Sequence, residues 1–130
     1  MKIEDAQLDV EANAIGMFTG AVDGKAFLES NFLTFQKVRS GYIIVGNENN
    51  KNWIIFTLPG TLQGEGPHDV DCYPGILDWQ VKIENVRYRV SLGSVTVTFQ
   101  NEARTGVKGN VNLFLKGGGK VTGSFNIREQ

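Results

Sequence analysis

The chain is poor in the residues that staple, punctuate or activate a fold. It carries one cysteine, one histidine and three prolines in 130 residues. A single cysteine forms no internal disulfide, so the fold rests on packing, and this usage favours a reducing compartment. One histidine and one cysteine fall short of the three or four ligands of a zinc centre. A net charge of −1 gives no basic excess to draw nucleic acid or an anionic membrane. No apolar run approaches the roughly 20 residues that span a bilayer. The start, Met1-Lys-Ile-Glu-Asp-Ala6, lacks the apolar core of a secretion signal. As written the chain reads as cytoplasmic, and as exported if a leader precedes it.

What is abundant is turn and strand. Sixteen scattered glycines fit many tight turns, and the length suits one domain with a real core. We read residues 1–130 as a single β domain, with residues 1–12 as a frayed lead-in and 59–76 as a long crossover loop. Asp23-Gly24, between Ile15–Val22 and Lys25–Glu29, is a strong hairpin signal, because a type I′ turn needs positive φ at both central residues. Phe32–Val38 reads as the next strand, stopped at Ser40-Gly41. Tyr42–Val45 and Trp53–Leu58 are almost continuously apolar, as expected of strands covered on both faces.

The region 77–99 reads as a three-stranded meander turning at Glu84-Asn85 and Gly93-Ser94. Its first hairpin pairs Ile83 with Val86, Val81 with Tyr88, Trp79 with Val90 and Leu77 with Leu92. Its second pairs Leu92 with Val95, Val90 with Val97 and Tyr88 with Phe99. One face is then wholly apolar, and Lys82, Arg87, Arg89, Thr96 and Thr98 share the other. A last hairpin turns at Gly117-Gly-Gly119 and pairs Leu115 with Val121, leaving Phe114 on a polar face. Trp53 and Trp79 fall in apolar registers and are expected in the core. The fold class is all-β: an antiparallel two-sheet β-sandwich of about ten strands, with a closed up-and-down β-barrel as the alternative.

Chemistry-bearing residues concentrate between Pro59 and Pro74, which hold His68 and Cys72. The binding candidates there are Glu65, His68, Asp69 and Asp71; the Asp-x-Asp spacing sets two carboxylates on one side of an extended segment. No EF-hand pattern accompanies them, no phosphate-cradling loop opens a helix, and no cofactor is implied. Cys72 near His68 suggests a nucleophile and base, but such pairs come from separate elements meeting in space. Cys72 reads instead as a structural thiol. Arg87 and Arg89 project together from the polar face of the meander and complete the candidates, as a cationic patch for an acidic partner or a sugar.

Two stretches, Phe18-Thr-Gly-Ala-Val-Asp-Gly-Lys-Ala-Phe27 and Gly119-Lys-Val-Thr-Gly-Ser-Phe-Asn-Ile127, resemble the opening and closing segments of small, uncharacterised bacterial β-sandwich domains. Such domains are often found on exported proteins or lipoproteins. The resemblance implies a β-sandwich and export, and no catalytic residue. The expected function is a non-catalytic module that binds another protein. The alternative is a calycin-like barrel carrying a small apolar ligand, and a third reading is an enzyme or metal site on the 59–74 loop.

Overall fold

The computed structural model describes residues 2–3, 8–9, 12–74 and 77–130. The expected frayed lead-in lies mostly outside the described residues, apart from a short ribbon of β1 (Lys2–Ile3) against β2 (Leu8–Asp9). Ten further strands share one antiparallel sheet. They are β3 (Ala14–Val22), β4 (Lys25–Ser30), β5 (Leu33–Val38), β6 (Gly41–Glu48) and β7 (Asn52–Pro59), then β8 (His68–Asp71), β9 (Gln80–Ile83), β10 (Val86–Gln100), β11 (Gly106–Leu115) and β12 (Lys120–Glu129).

The order β11-β12-β3-β5-β6-β7-β9-β10 closes on itself, because β10 pairs back onto β11 from Val90↔Leu115 to Gln100↔Gly106. The fold is therefore a closed eight-stranded barrel, with β4 paired outside it to β3 and β8 to β10. The two-sheet sandwich is overturned in favour of the barrel. The misreading came from β6 and β7, whose two apolar faces suggested a second sheet. Their inner residues Ile44, Ile54, Phe56 and Leu58 do join the barrel core. Their outer residues Ile43, Val45, Trp53 and Ile55 form a separate cluster with Val38 and Leu77. Trp79 belongs to the inner core and Trp53 to the outer cluster, and both are buried.

The hairpins divide into those fixed by local chemistry and those that are not. Asp23 and Gly24 have φ of 49° and 83°, and Glu84 and Asn85 have 48° and 70°. Both pairs close two-residue loops, with Val22 opposite Lys25 and Ile83 opposite Val86. The turn at Gly93-Ser94 does not exist. β10 runs straight through it for 15 residues, with a register shift between Val90 and Leu92 and Gly93 paired to Leu113. Leu77 accordingly packs in the outer cluster, away from Leu92. The last hairpin pairs Leu113, not Leu115, with Val121. That slip of two residues leaves every side chain on its expected face, and Phe114 is on the outside, 39% exposed.

Aromatic rings stack through the core. Phe18 lies 5.3 Å from Phe125, which lies 5.5 Å from Phe56, which lies 5.8 Å from Trp79, centroid to centroid. One end is plugged by Arg104 in the β10–β11 turn. Its guanidinium sits 4.2 Å from the Phe99 ring centroid and donates to the Tyr42 hydroxyl and to the carbonyls of Leu62 and Gly64. The seam where β3 meets β5 has a single paired position, Ala14↔Leu33. Asn13 extends it. Its side-chain amide accepts from Phe35 N at 2.9 Å and donates to Phe35 O at 3.3 Å, standing in for a residue of the ladder.

Candidate functional site

The crossover from β7 to β9 does more than connect. β7 and β9 are neighbours, pairing at Trp53↔Lys82. The chain between them runs out to lay β8 along β10 and then returns. β8 and β9 thus use the same edge of β10, β9 along Val86–Arg89 and β8 along Ser94–Val97. Between them β10 bulges, and the wall is tied by two backbone hydrogen bonds, Val90 N to Trp79 O at 3.2 Å and Cys72 N to Gly93 O at 2.9 Å. Bulges of this kind re-aim side chains and end pairing. Among the described residues this edge of β10 is left without a ladder partner between Arg89 and Ser94.

A groove of about 460 Å³ occupies it. Its aromatic side is Trp79, 1% exposed, with Tyr73 edge-on at 6.1 Å. The Trp79 indole N–H donates to the Thr57 hydroxyl at 3.3 Å, and that hydroxyl donates to the Tyr73 oxygen at 3.4 Å. Arg89 and Lys116 bring two cations against one carboxylate, Asp78. Arg89 and Asp78 are 3.9 Å apart and both are more than half exposed, so the pair is weak and leaves the guanidinium open to other anions. Lys116 is held beside Arg89 by its own backbone N–H, which donates to Arg89 O at 2.8 Å. Burial pushes the Cys72 thiol above its ordinary pKa, and the charge of Asp78 pushes it the same way.

The six sequence candidates part company here. Arg89 lines the groove, whereas Arg87 stands opposite Lys82 on the ladder. Glu65 is a structural clasp: its carboxylate accepts from Asn101 N at 3.0 Å and its carbonyl from Phe99 N at 2.7 Å. Asp69 accepts from the Thr96 hydroxyl at 2.7 Å, and Asp71 faces Ser94 in register. His68 contacts the Gly64 carbonyl at 3.0 Å and packs edge-on to Phe99 at 6.0 Å. Because β8 is extended, His68 and Cys72 are separated by about 13 Å of strand, so they form no nucleophile–base pair. A raised thiol pKa also opposes nucleophilic chemistry. Among the described residues no three His, Cys, Asp or Glu side chains gather as metal ligands. The sequence reading missed Tyr73, Asp78 and Lys116. Lys116 had no local signal, since it reaches Arg89 only through the β10–β11 ladder.

A larger groove, about 550 Å³, runs over β12, β3 and β4, with Glu29, Glu48 and Glu84 on its lining and no cation among the described lining residues. Glu48 is already engaged there, accepting from Glu29 N at 3.2 Å. No protein-family model, curated protein or solved structure matches this chain.

Proposed function

We propose that this barrel is a non-catalytic carrier of a small amphipathic anion, bound in the wall groove between β8 and β9. One observation carries the reading: among the described residues the wall groove brings the half-buried Tyr73 ring, backed by the buried Trp79, beside two cations, Arg89 and Lys116. The apolar part of such a ligand packs against Tyr73, behind which Trp79 is buried, and its acidic head meets the cations. The groove's volume falls in the range of about 300–1,000 Å³ usual for small-molecule sites. Among the described residues Phe18, Phe125, Phe56 and Trp79 stack in the core, and this supports placing the carrier site in the wall rather than the interior. The protein-binding reading draws on the lack of a convergent catalytic constellation and on exposed strand and loop; closure of the barrel removes sheet edges and favours the carrier reading instead.

The test is a titration with 8-anilinonaphthalene-1-sulfonate, itself an amphipathic anion, read by dye emission and by quenching of Trp79 in a Trp53→Phe background. Arg89→Ala with Lys116→Ala should weaken binding about tenfold or more, two charge-assisted contacts being lost. Arg87→Ala, outside the groove, should leave it unchanged. Equal affinity in the double variant overturns the proposal.

A further inference from the structure

We propose that the outer face of β10, β11, β12 and β3 is a docking surface for a neutral polysaccharide. The face is separate from the wall groove, and the inference does not depend on it. Its registers align Thr96, Asn110, Ser124 and Thr19 in one row across four strands. With the rows on either side, nine of the twelve outward positions are Ser, Thr or Asn, and one, Lys108, is charged. A face that is merely solvated is usually rich in Lys and Glu, and 21% of this chain is charged. The neutrality of these four strands is thus a departure from the rest of the molecule, and the rows end on the carboxylates of Asp69 and Asp71 at β8 and Glu29 at β4.

The polar groups are already positioned. The Thr19 and Ser124 hydroxyls are 3.2 Å apart, and the Gln100 amide donates to Asn126 Oδ1 at 2.9 Å. Nor is the face uniformly convex. Gly109 sits at an inward register position between Val97 and Phe125, and a Cβ there would stand 1.8 Å from the Thr96 carbonyl oxygen, so the glycine lets β10 and β11 approach closely. Beside it lies a dip of about 320 Å³ with the Phe125 ring in its lining and Thr96, Thr98, Asn110 and Asn126 around it. A second dip of about 390 Å³, with Ile15 and Met17 in its lining, shares Asn126 with the first. Adjoining shallow sites fit a chain of linked rings better than one small molecule.

The chemistry selects the occupant. A sugar hydroxyl donates and accepts, as Ser, Thr and Asn side chains do, and the C–H face of its ring suits an apolar floor. A nucleic acid needs several cations to neutralise its phosphates, and Lys108 and Arg128, the two cations lining the dips, do not supply them. A lipid surface needs a continuous apolar band, which the Ser, Thr and Asn rows interrupt.

The test is native affinity electrophoresis of the chain through gels containing soluble β-glucan, mannan or xylan, with sulfated dextran as the charge control. Retardation is expected in at least one neutral gel. Asn110→Ala with Asn126→Ala should raise the dissociation constant about tenfold, with the thermal unfolding midpoint confirming that the fold is intact. Thr98→Lys, which crowds the first dip, should have the same effect, and Arg89→Ala with Lys116→Ala should have none. Unretarded migration in all three neutral gels, equal retardation of wild type and both face variants, or retardation by sulfated dextran alone overturns the inference.

Discussion

The side chain of Phe18 occupies the place where Gly46 would carry one: a Cβ on Gly46 would stand 2.6 Å from Phe18 Cγ and 2.7 Å from its Cβ. Gly46 lies on β6, paired with Leu33 and Ile54, so the glycine lets the β3 aromatic cross to that wall. The Phe18 ring in turn anchors the axial stack through Phe125 and Phe56. Gly46→Ala should therefore act as an overpacking mutation and cost about 1–3 kcal/mol, measured by urea unfolding. Phe18→Leu in the Gly46→Ala background should recover part of that loss. If Gly46→Ala unfolds at the wild-type urea midpoint, Phe18 is not fixed by this contact.

The Thr57 hydroxyl joins Trp79 to Tyr73 beneath the wall groove. Thr57 and Trp79 are both buried, at 0% and 1% exposure. Thr57→Val keeps the shape and leaves the indole N–H unpaired, which should cost about 1–3 kcal/mol. Thr57→Ser keeps the hydroxyl and should stay closer to wild type. Equal midpoints for Val and Ser in chemical denaturation would mean that the relay contributes nothing.

How much of this could be read from residues alone follows from where each feature is encoded. Asp23-Gly24 and Glu84-Asn85 were legible because positive φ at both turn residues is a local demand. Gly93-Ser94 carried the same signal and meant something else, a glycine inside a bulged strand with φ of 141°. The slip of Leu115 to Leu113 opposite Val121 was invisible, since a shift of two residues preserves the alternation. Closure was illegible for a related reason: the β3–β5 seam rests on Ala14↔Leu33 and on the Asn13 side chain, and no period announces a side chain acting as backbone. Of the candidate groove, Arg89 was visible as a cation on a polar face. Lys116 was not, because only the final register brings it there.

The Cys72 thiol is held above its usual pKa first by burial and then by Asp78. A raised pKa means that the folded state binds the proton more tightly than the unfolded chain. The thiol's contribution to stability is then present below the unfolded pKa and lost as pH rises through the folded one. At pH 8.5 alkylation by iodoacetamide should be slower than for the urea-unfolded protein at the same pH. Asp78→Asn should speed it, moving the midpoint of the rate-versus-pH curve downward. A rate midpoint unmoved by Asp78→Asn would remove the carboxylate from this account.

Arg104 makes the sharpest stability prediction, because its contacts and its backbone pull in opposite directions. The guanidinium stacks on Phe99 and donates to Tyr42, Leu62 and Gly64, while the residue itself has φ of 55°. Arg104→Ala keeps the unfavourable φ and loses the contacts, and should cost about 2–3 kcal/mol. Arg104→Lys keeps the charge without the planar fork and should recover little of it. Arg104→Gly loses the same contacts but relieves the left-handed backbone, worth about 1 kcal/mol. The expected order of urea midpoints is Arg, then Gly, then Ala, with Lys near Ala. Lys at the wild-type midpoint would show that charge alone suffices, and Ala at or above Gly would show that the backbone at Arg104 carries no strain.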